Sequence, residues 1–266
     1  MTWRPRGRRR DQQVGAASLD SRSQLGYVVR AGSTIGIRRT NQDRVLLAHP
    51  IVAVADGVGG SVRGDAAAQV SLGRIAIDSA YAQPDEDPAQ TVRGLVRGAD
   101  AEAQKAARAF GAVESSSTLA LLHLSRPEEA TDDVVLLTVA WVGDSPVLVA
   151  DQHGVEQLTI PHTDAPSGHA SEGYALLRAL GGTDATPDVT TRLVAPPCRV
   201  VLATDGLLDV PREVIEAVLL DLELDTDRCL EELLDLVRDV RVSDNTTIAV
   251  VDLVRSEERT ILTGLL

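Results

Sequence analysis

From Leu25 onward, short β-branched apolar runs alternate with longer stretches in which Ala, Leu, Val and Ile recur every three or four residues. The short runs predict strands within Gly26 to Ala31, Arg44 to Ala55, Thr118 to Leu124, Val134 to Ala150, Val155 to Ile160, Val189 to Val194, Arg199 to Ala203 and Thr246 to Val254. Ile51 to Ala55 is apolar throughout and ends at Asp56, the pattern of a buried strand. The longer stretches predict amphipathic helices over Gly64 to Tyr81, Pro88 to Phe110, Val214 to Leu220 and Asp227 to Val240. A further short helix is expected from about Ser171 to Leu180, stopped by Gly181-Gly182. Pro84 and Pro88 separate the first two helices, and Arg126 to Asp133 reads as a hairpin loop.

Strands, two helices, more strands, two helices and a closing strand depart from strict βαβ alternation. That grouping predicts an α+β fold, a four-layer α-β-β-α sandwich of two antiparallel sheets flanked by helices. No Pro/Gly/Ser-rich linker divides residues 25–254, so they read as one domain. Residues 1–24 are polar, Arg-rich and without period, which predicts a disordered tail, and 255–266 form a C-terminal tail.

Composition narrows the reading. Hydrophobic residues make up 44% of the 266 but aromatics only 2%, so aliphatic side chains and alanine must fill the core. A net charge of −13 argues against nucleic-acid binding by the body of the protein, because phosphate contacts draw on Lys and Arg. Arg4, Arg6, Arg8, Arg9 and Arg10 are the exception, a basic segment best read as solvated. No apolar run reaches membrane-spanning length and no signal-peptide core follows the arginines, so a cytoplasmic protein without membrane contact is expected. Cys198 and Cys229 lack metal-like or redox-like spacing and read as reduced structural thiols. The five histidines show no paired zinc-ligand spacing.

Five signatures place an aspartate beside glycine or a small polar residue, mostly where a β-rich run ends: Asn41-Gln42-Asp43, Asp56-Gly57-Val58-Gly59-Gly60, Gly143-Asp144-Ser145, Asp205-Gly206 and Asp244-Asn245-Thr246-Thr247. One Asp-Gly pair alone reads as a turn. Five in one chain suit a hard-metal site, since Mg²⁺ and Mn²⁺ take oxygen ligands and keep several waters. Asp56, Asp205 and Asp244 are the best ligand candidates, because carboxylates at strand ends can converge. Gly57 allows a backbone carbonyl to approach an ion.

These residues resemble the metal-dependent serine/threonine protein phosphatases of type 2C, bacterial type, in order and over nearly all of Leu25 to Val254. Gly36 through Asp43 is similar to the family's first motif, with Arg38 five residues before Asp43. Ser117-Thr118-Leu119-Ala120, His162-Thr163, Arg178 to Gly182 and Thr204 to Leu207 extend the likeness. The resemblance implies that Asp56 bridges two Mg²⁺ or Mn²⁺ ions, that Gly57 offers its carbonyl to one and that Asp205 and Asp244 bind the other. It implies that Asp43 acts through a water, that Asp144 helps hold a third, weaker ion, and that Arg38 grips the substrate phosphate. A hydroxide bridging the metals would attack phosphorus in line. The implied partners are phosphoserine and phosphothreonine proteins and an opposing serine/threonine kinase, with the enzyme a monomer.

Four departures stand out. Gln42 replaces the glutamate of some relatives, Pro146 follows Gly143-Asp144-Ser145 where arginine is usual, and Val58 takes the place of a histidine in some eukaryotic members. The segment from His162 to Arg178, with Pro166, Ser167 and Gly168, is short for the family's flap. Ser115 to Thr118 is expected to be strand-edge or turn structure rather than a phosphosite. The alternative function is a catalytically weak scaffold of the same fold that binds phosphoproteins; a specialised phosphatase, such as one acting on an anti-sigma-factor antagonist, is a third reading.

Overall fold

The computed structural model describes residues 12–19, 26–58, 64–82, 87–109, 115–127, 134–164 and 174–254. Gly59, Gly60, Pro84, most of the hairpin loop after Arg126, Pro166 to Gly168 and the C-terminal tail lie outside them.

The strands are β1 (Gln12–Leu19), β2 (Gly26–Thr34), β3 (Arg44–Ala48), β4 (Ile51–Ala55), β5 (Gly57–Val58), β6 (Ser116–Ser117), β7 (Leu119–Ser125), β8 (Val135–Val142), β9 (Val147–Asp151), β10 (Gly154–Gln157), β11 (Asp188–Val194), β12 (Cys198–Ala203) and β13 (Thr246–Leu253). The helices are α1 (Gly64–Ser79), α2 (Pro88–Ala109), α3 (Arg212–Leu220) and α4 (Thr226–Val240), with a 3-10 turn at Asp205–Asp209. One sheet runs β1-β2-β13-β12-β9-β10, the second β11-β8-β7-β4-β3, and β5 and β6 form a small ribbon.

Alternation assigns the layers. In β4, Val52 and Val54 point between the two sheets, while Ile51, Ala53 and Ala55 pack against α1 and α2. In β12, Cys198, Val200 and Leu202 face the inter-sheet core, and Val201 and Ala203 face α3 and α4 with Leu230, Leu233 and Leu234. Both sheets are thus covered on both faces, and the four-layer sandwich follows. This explains why β4 reads as an unbroken apolar run. Asp225 caps α4 by accepting the Arg228 amide, and Arg241 ends it in the left-handed region at φ 54°.

Three expectations differ. β1 falls inside the segment expected to be disordered, because its pairing with β2 supplies the order its composition does not. The expected helix before Leu180 is not formed over the described residues 174–180. There, Leu176 bridges Thr163 and Leu180 bridges Ser117, so backbone pairing with the core replaces the helix. The strand expected to reach Ile160 stops at Gln157. Cys198 and Cys229 are buried, unpaired thiols on opposite faces of the larger sheet, each pushed up to about 12 by burial.

Candidate active site

The strands of both sheets deliver the acidic signatures to one edge of the sandwich. Arg44 pairs with Ala55, so Asp43 and Asp56 continue β3 and β4 side by side beyond the ladder. In the other sheet Ala203 pairs with Ile248 and Thr34 with Thr246, so Asp205, Asp244 and the segment after β2 leave from the same end. The β8–β9 turn adds Asp144. A cavity of about 820 Å³ results, with Arg38, Arg39, Gln42, Asp56, Gly57, Val58, Asp65, Asp144, Tyr174, Asp205 and Asp244 among its lining residues.

Asp43 sits just behind that wall, 5% exposed, and accepts a 2.9 Å hydrogen bond from the Thr204 hydroxyl. This bond joins the two sheets at the site. Asp56 is held through its backbone: its amide donates to Thr118 Oγ1 (3.0 Å), while its carbonyl accepts from the Thr118 amide (2.8 Å) and the Ser117 hydroxyl (2.9 Å). Thr118 Oγ1 is also 2.8 Å from Ser145 Oγ, which ties Asp56 to the Asp144 turn. Ser117 and Thr118 are therefore buried structure, as expected for that serine run.

Gly36, at φ +58°, packs so close to the backbone before β13 that a Cβ there would lie 2.1 Å from the Asp244 carbonyl oxygen. That contact carries Arg38 to Asp244, where Nη2 donates to Oδ2 at 2.5 Å and Nε donates to the Ser243 carbonyl. The residue expected to grip phosphate thus pairs with a candidate metal ligand. Asn245 fixes the same loop: its Oδ1 accepts from the Gln42 amide (2.8 Å), and its Nδ2 donates to the Ile35 and Thr40 carbonyls (both 3.0 Å).

His162, of the His162-Thr163 motif, braces the Asp144 turn. Its Nδ1 accepts from the Gly143 amide (3.1 Å), its own amide donates to the Gly143 carbonyl, and Nε2 faces Asp188 at 3.3 Å. Trp141 stacks on the ring, and burial lowers its pKa, consistent with a neutral imidazole whose Nδ1 accepts. Pro146 is accommodated because only its carbonyl is used, accepting from Ala203.

The electrostatics are those of crowded like charges. Burial, then the charges of Asp43, Asp205, Asp244 and Asp144, pushes the Asp56 carboxyl well above its usual range. Burial followed by Asp144, Asp244 and Asp43 raises Asp205 to about 8, and burial raises Asp43 to about 6. Asp144 is raised as well, chiefly by burial. Asp43 Oδ1, Asp205 Oδ1 and Thr246 Oγ1 are buried without a hydrogen-bond partner among the described residues. Orphaned carboxylate oxygens beside mutually repelling neighbours fit multivalent cations. Among the described residues no three carboxylates, imidazoles or thiols converge tightly enough to enclose one ion. An ion here would complete its shell with water and backbone oxygen, as Mg²⁺ commonly does.

Every candidate site residue is therefore brought to this edge. The supports Thr118, Ser145, Thr204 and Asn245 carry no assigned role in the sequence reading, although Ser145, Thr204 and Asn245 adjoin ligand candidates in the quoted motifs.

The family model described as Protein phosphatase 2C matches residues 36–245. No curated protein matches the chain significantly. Among solved structures, the PPM Ser-Thr phosphatase MsPP from Mycobacterium smegmatis, in complex with cacodylate, is 26% identical with a TM-score of 0.72, covering 85% of this chain and 98% of that one. The Mycobacterium tuberculosis serine/threonine phosphatase PstP/Ppp is 22% identical with a TM-score of 0.73, over 85% and 98%. The catalytic domain of PstP in complex with 2 manganese ions is 22% identical with a TM-score of 0.68, over 86% and 98%.

Proposed function

The chain belongs to the protein phosphatase 2C family, and on that premise we propose that it hydrolyses phosphoserine and phosphothreonine in proteins with the help of two Mg²⁺ or Mn²⁺ ions. The observation that carries the reading is one cavity lined by Asp56, Asp144, Asp205, Asp244 and Arg38, with orphaned carboxylate oxygens at Asp43 and Asp205.

Asp56, the Gly57 carbonyl, Asp205 and Asp244 would hold the two ions, with Asp43 acting at one remove and Asp144 toward a weaker third. When bound, such ions neutralise phosphoryl charge and acidify a water for in-line attack. The protein supplies the rest. Arg38 exchanges Asp244 for the phosphate, which its planar fork can bind through two parallel hydrogen bonds. Thr118, Ser145 and Thr204 hold the carboxylates in register, so little reorganisation is needed at the moment of reaction. Among the described residues no histidine lines the cavity. Partner kinase, monomeric state and cytoplasmic location complete the proposal; no described helix is long and apolar enough to cross a membrane. A phosphoprotein-binding scaffold is disfavoured because the complete carboxylate set is present.

The test is hydrolysis of p-nitrophenyl phosphate and a phosphothreonine peptide with Mn²⁺, Mg²⁺ or EDTA, for the native protein and Asp205→Asn. Turnover that needs metal and is lost in the variant supports the proposal. A folded native protein inactive with every metal overturns it.

A further inference from the structure

Among the described residues, two arginines and five aspartates line the cavity. Arg38 is held by Asp244 and the Ser243 carbonyl. Arg44, just behind, donates to the Asn41 and Asp43 carbonyls and to Gln69, and lies 3.6 Å from Asp65. Arg39 differs: it lines the cavity and is exposed, yet it makes no hydrogen bond or ion pair among the described residues. A guanidinium that pairs with none of the carboxylates lining its own cavity has its five N–H donors free for an anion arriving from outside.

We propose that Arg39 is a specificity-determining residue that binds a second anionic group on the substrate, a carboxylate or a second phosphate, one or two residues from the phosphorylated side chain. The inference rests on the phosphatase reading above. Its geometry follows from the chain itself. Arg38 and Arg39 are neighbours, and consecutive Cα atoms lie about 3.8 Å apart in enzyme and peptide alike. If Arg38 takes the phosphate, a group held by Arg39 comes from an adjacent or next-but-one residue. The Gly36 contact with Asp244 and the Asn245 bonds to Ile35 and Thr40 fix the loop that carries both arginines, so the pair is presented on a rigid support. Such a contact acts in the open mouth of the cavity. It therefore works as a salt-sensitive preference rather than an absolute requirement.

The experiment measures kcat/KM with Mn²⁺ for matched phosphothreonine peptides whose two flanking positions carry Ala, Glu, Lys or a second phosphoserine. The native protein is expected to prefer Glu or phosphoserine peptides over Ala by about 5-fold at low salt, chiefly through KM, with the margin shrinking at 0.3 M salt. Arg39→Ala should bring that ratio to about one, Arg39→Lys should keep part of it, and Arg39→Glu should invert it toward Lys peptides. Comparing Glu with phosphoserine peptides tells a carboxylate from a phosphate as the preferred group. A native ratio of one, or an unchanged ratio in Arg39→Ala, overturns the inference while leaving the phosphatase reading standing. Failure of the native protein to turn over any peptide overturns that reading, and this inference with it.

Discussion

Replacing Asp205 by Asn should abolish turnover and yet make the metal-free protein more stable. Burial and the charges of Asp144, Asp244 and Asp43 lift this carboxyl from 3.8 to about 8. Between those values the folded protein keeps a proton that the unfolded chain has released. Stability therefore falls as pH rises through that window and levels off above it. At pH 7.5, about 3.7 pH units above the unfolded value, the upper limit of this penalty is on the order of 5 kcal/mol, at about 1.4 kcal/mol per unit. Neighbouring carboxyls share the strain and relax together, so Asn should recover about half, roughly 2 to 3 kcal/mol. In a domain of this size that corresponds to a Tm higher by about 5 to 10 °C. Calorimetry in EDTA at pH 7.5 should show the variant melting above the native protein. At pH 4, where the native carboxyl is protonated in the fold, the gap should close. Added Mn²⁺ should reverse the order by stabilising the native protein selectively. A variant that melts at or below the native protein in EDTA at pH 7.5 would refute the argument that repulsion dominates this cluster.

Arg38→Ala should lower kcat/KM for a phosphopeptide by about 10- to 100-fold, the usual worth of hydrogen bonds to a charged group, and steady-state kinetics alongside Arg38→Lys will read it. Asn245→Ala removes the bonds to Gln42, Ile35 and Thr40; urea unfolding should register a loss of about 2 to 3 kcal/mol. Arg199 is 1% exposed, paired with Asp252 and bonded to the Asp221 and Leu224 carbonyls. Arg199→Ala should cost about 3 to 5 kcal/mol by the same assay, because it strands a partly buried carboxylate, while activity per folded molecule is retained. Cys198 and Cys229, both buried with thiols pushed up to about 12, should resist iodoacetamide at pH 8 until denaturant is added; labelling followed by mass spectrometry decides this.

Much of this protein is written locally. The continuous apolar run Ile51–Ala55, the β-branched run Arg199–Ala203, the three- and four-residue spacing of α2 and α4, and the aspartates at strand ends are short-range patterns, and the runs and spacings became the elements they predict. Motif order was enough to indicate the family. What the sequence left open depends on contacts between residues far apart in the chain. Gln12–Leu19 has no apolar period of its own and becomes a strand only because the edge of β2 offers it hydrogen bonds. Tyr174 to Leu180 has helix-forming composition, yet bridging to Thr163 and Ser117 keeps it out of a helix. Arg38 reaches Asp244, and Asn245 reaches Ile35, across more than 200 positions, and Thr204 meets Asp43 across 161. Periodicity determines which face of a strand is buried. Sheet order and register determine which strand ends meet, and they alone set how strongly these carboxylates repel one another and which of the two described cavity arginines is paired.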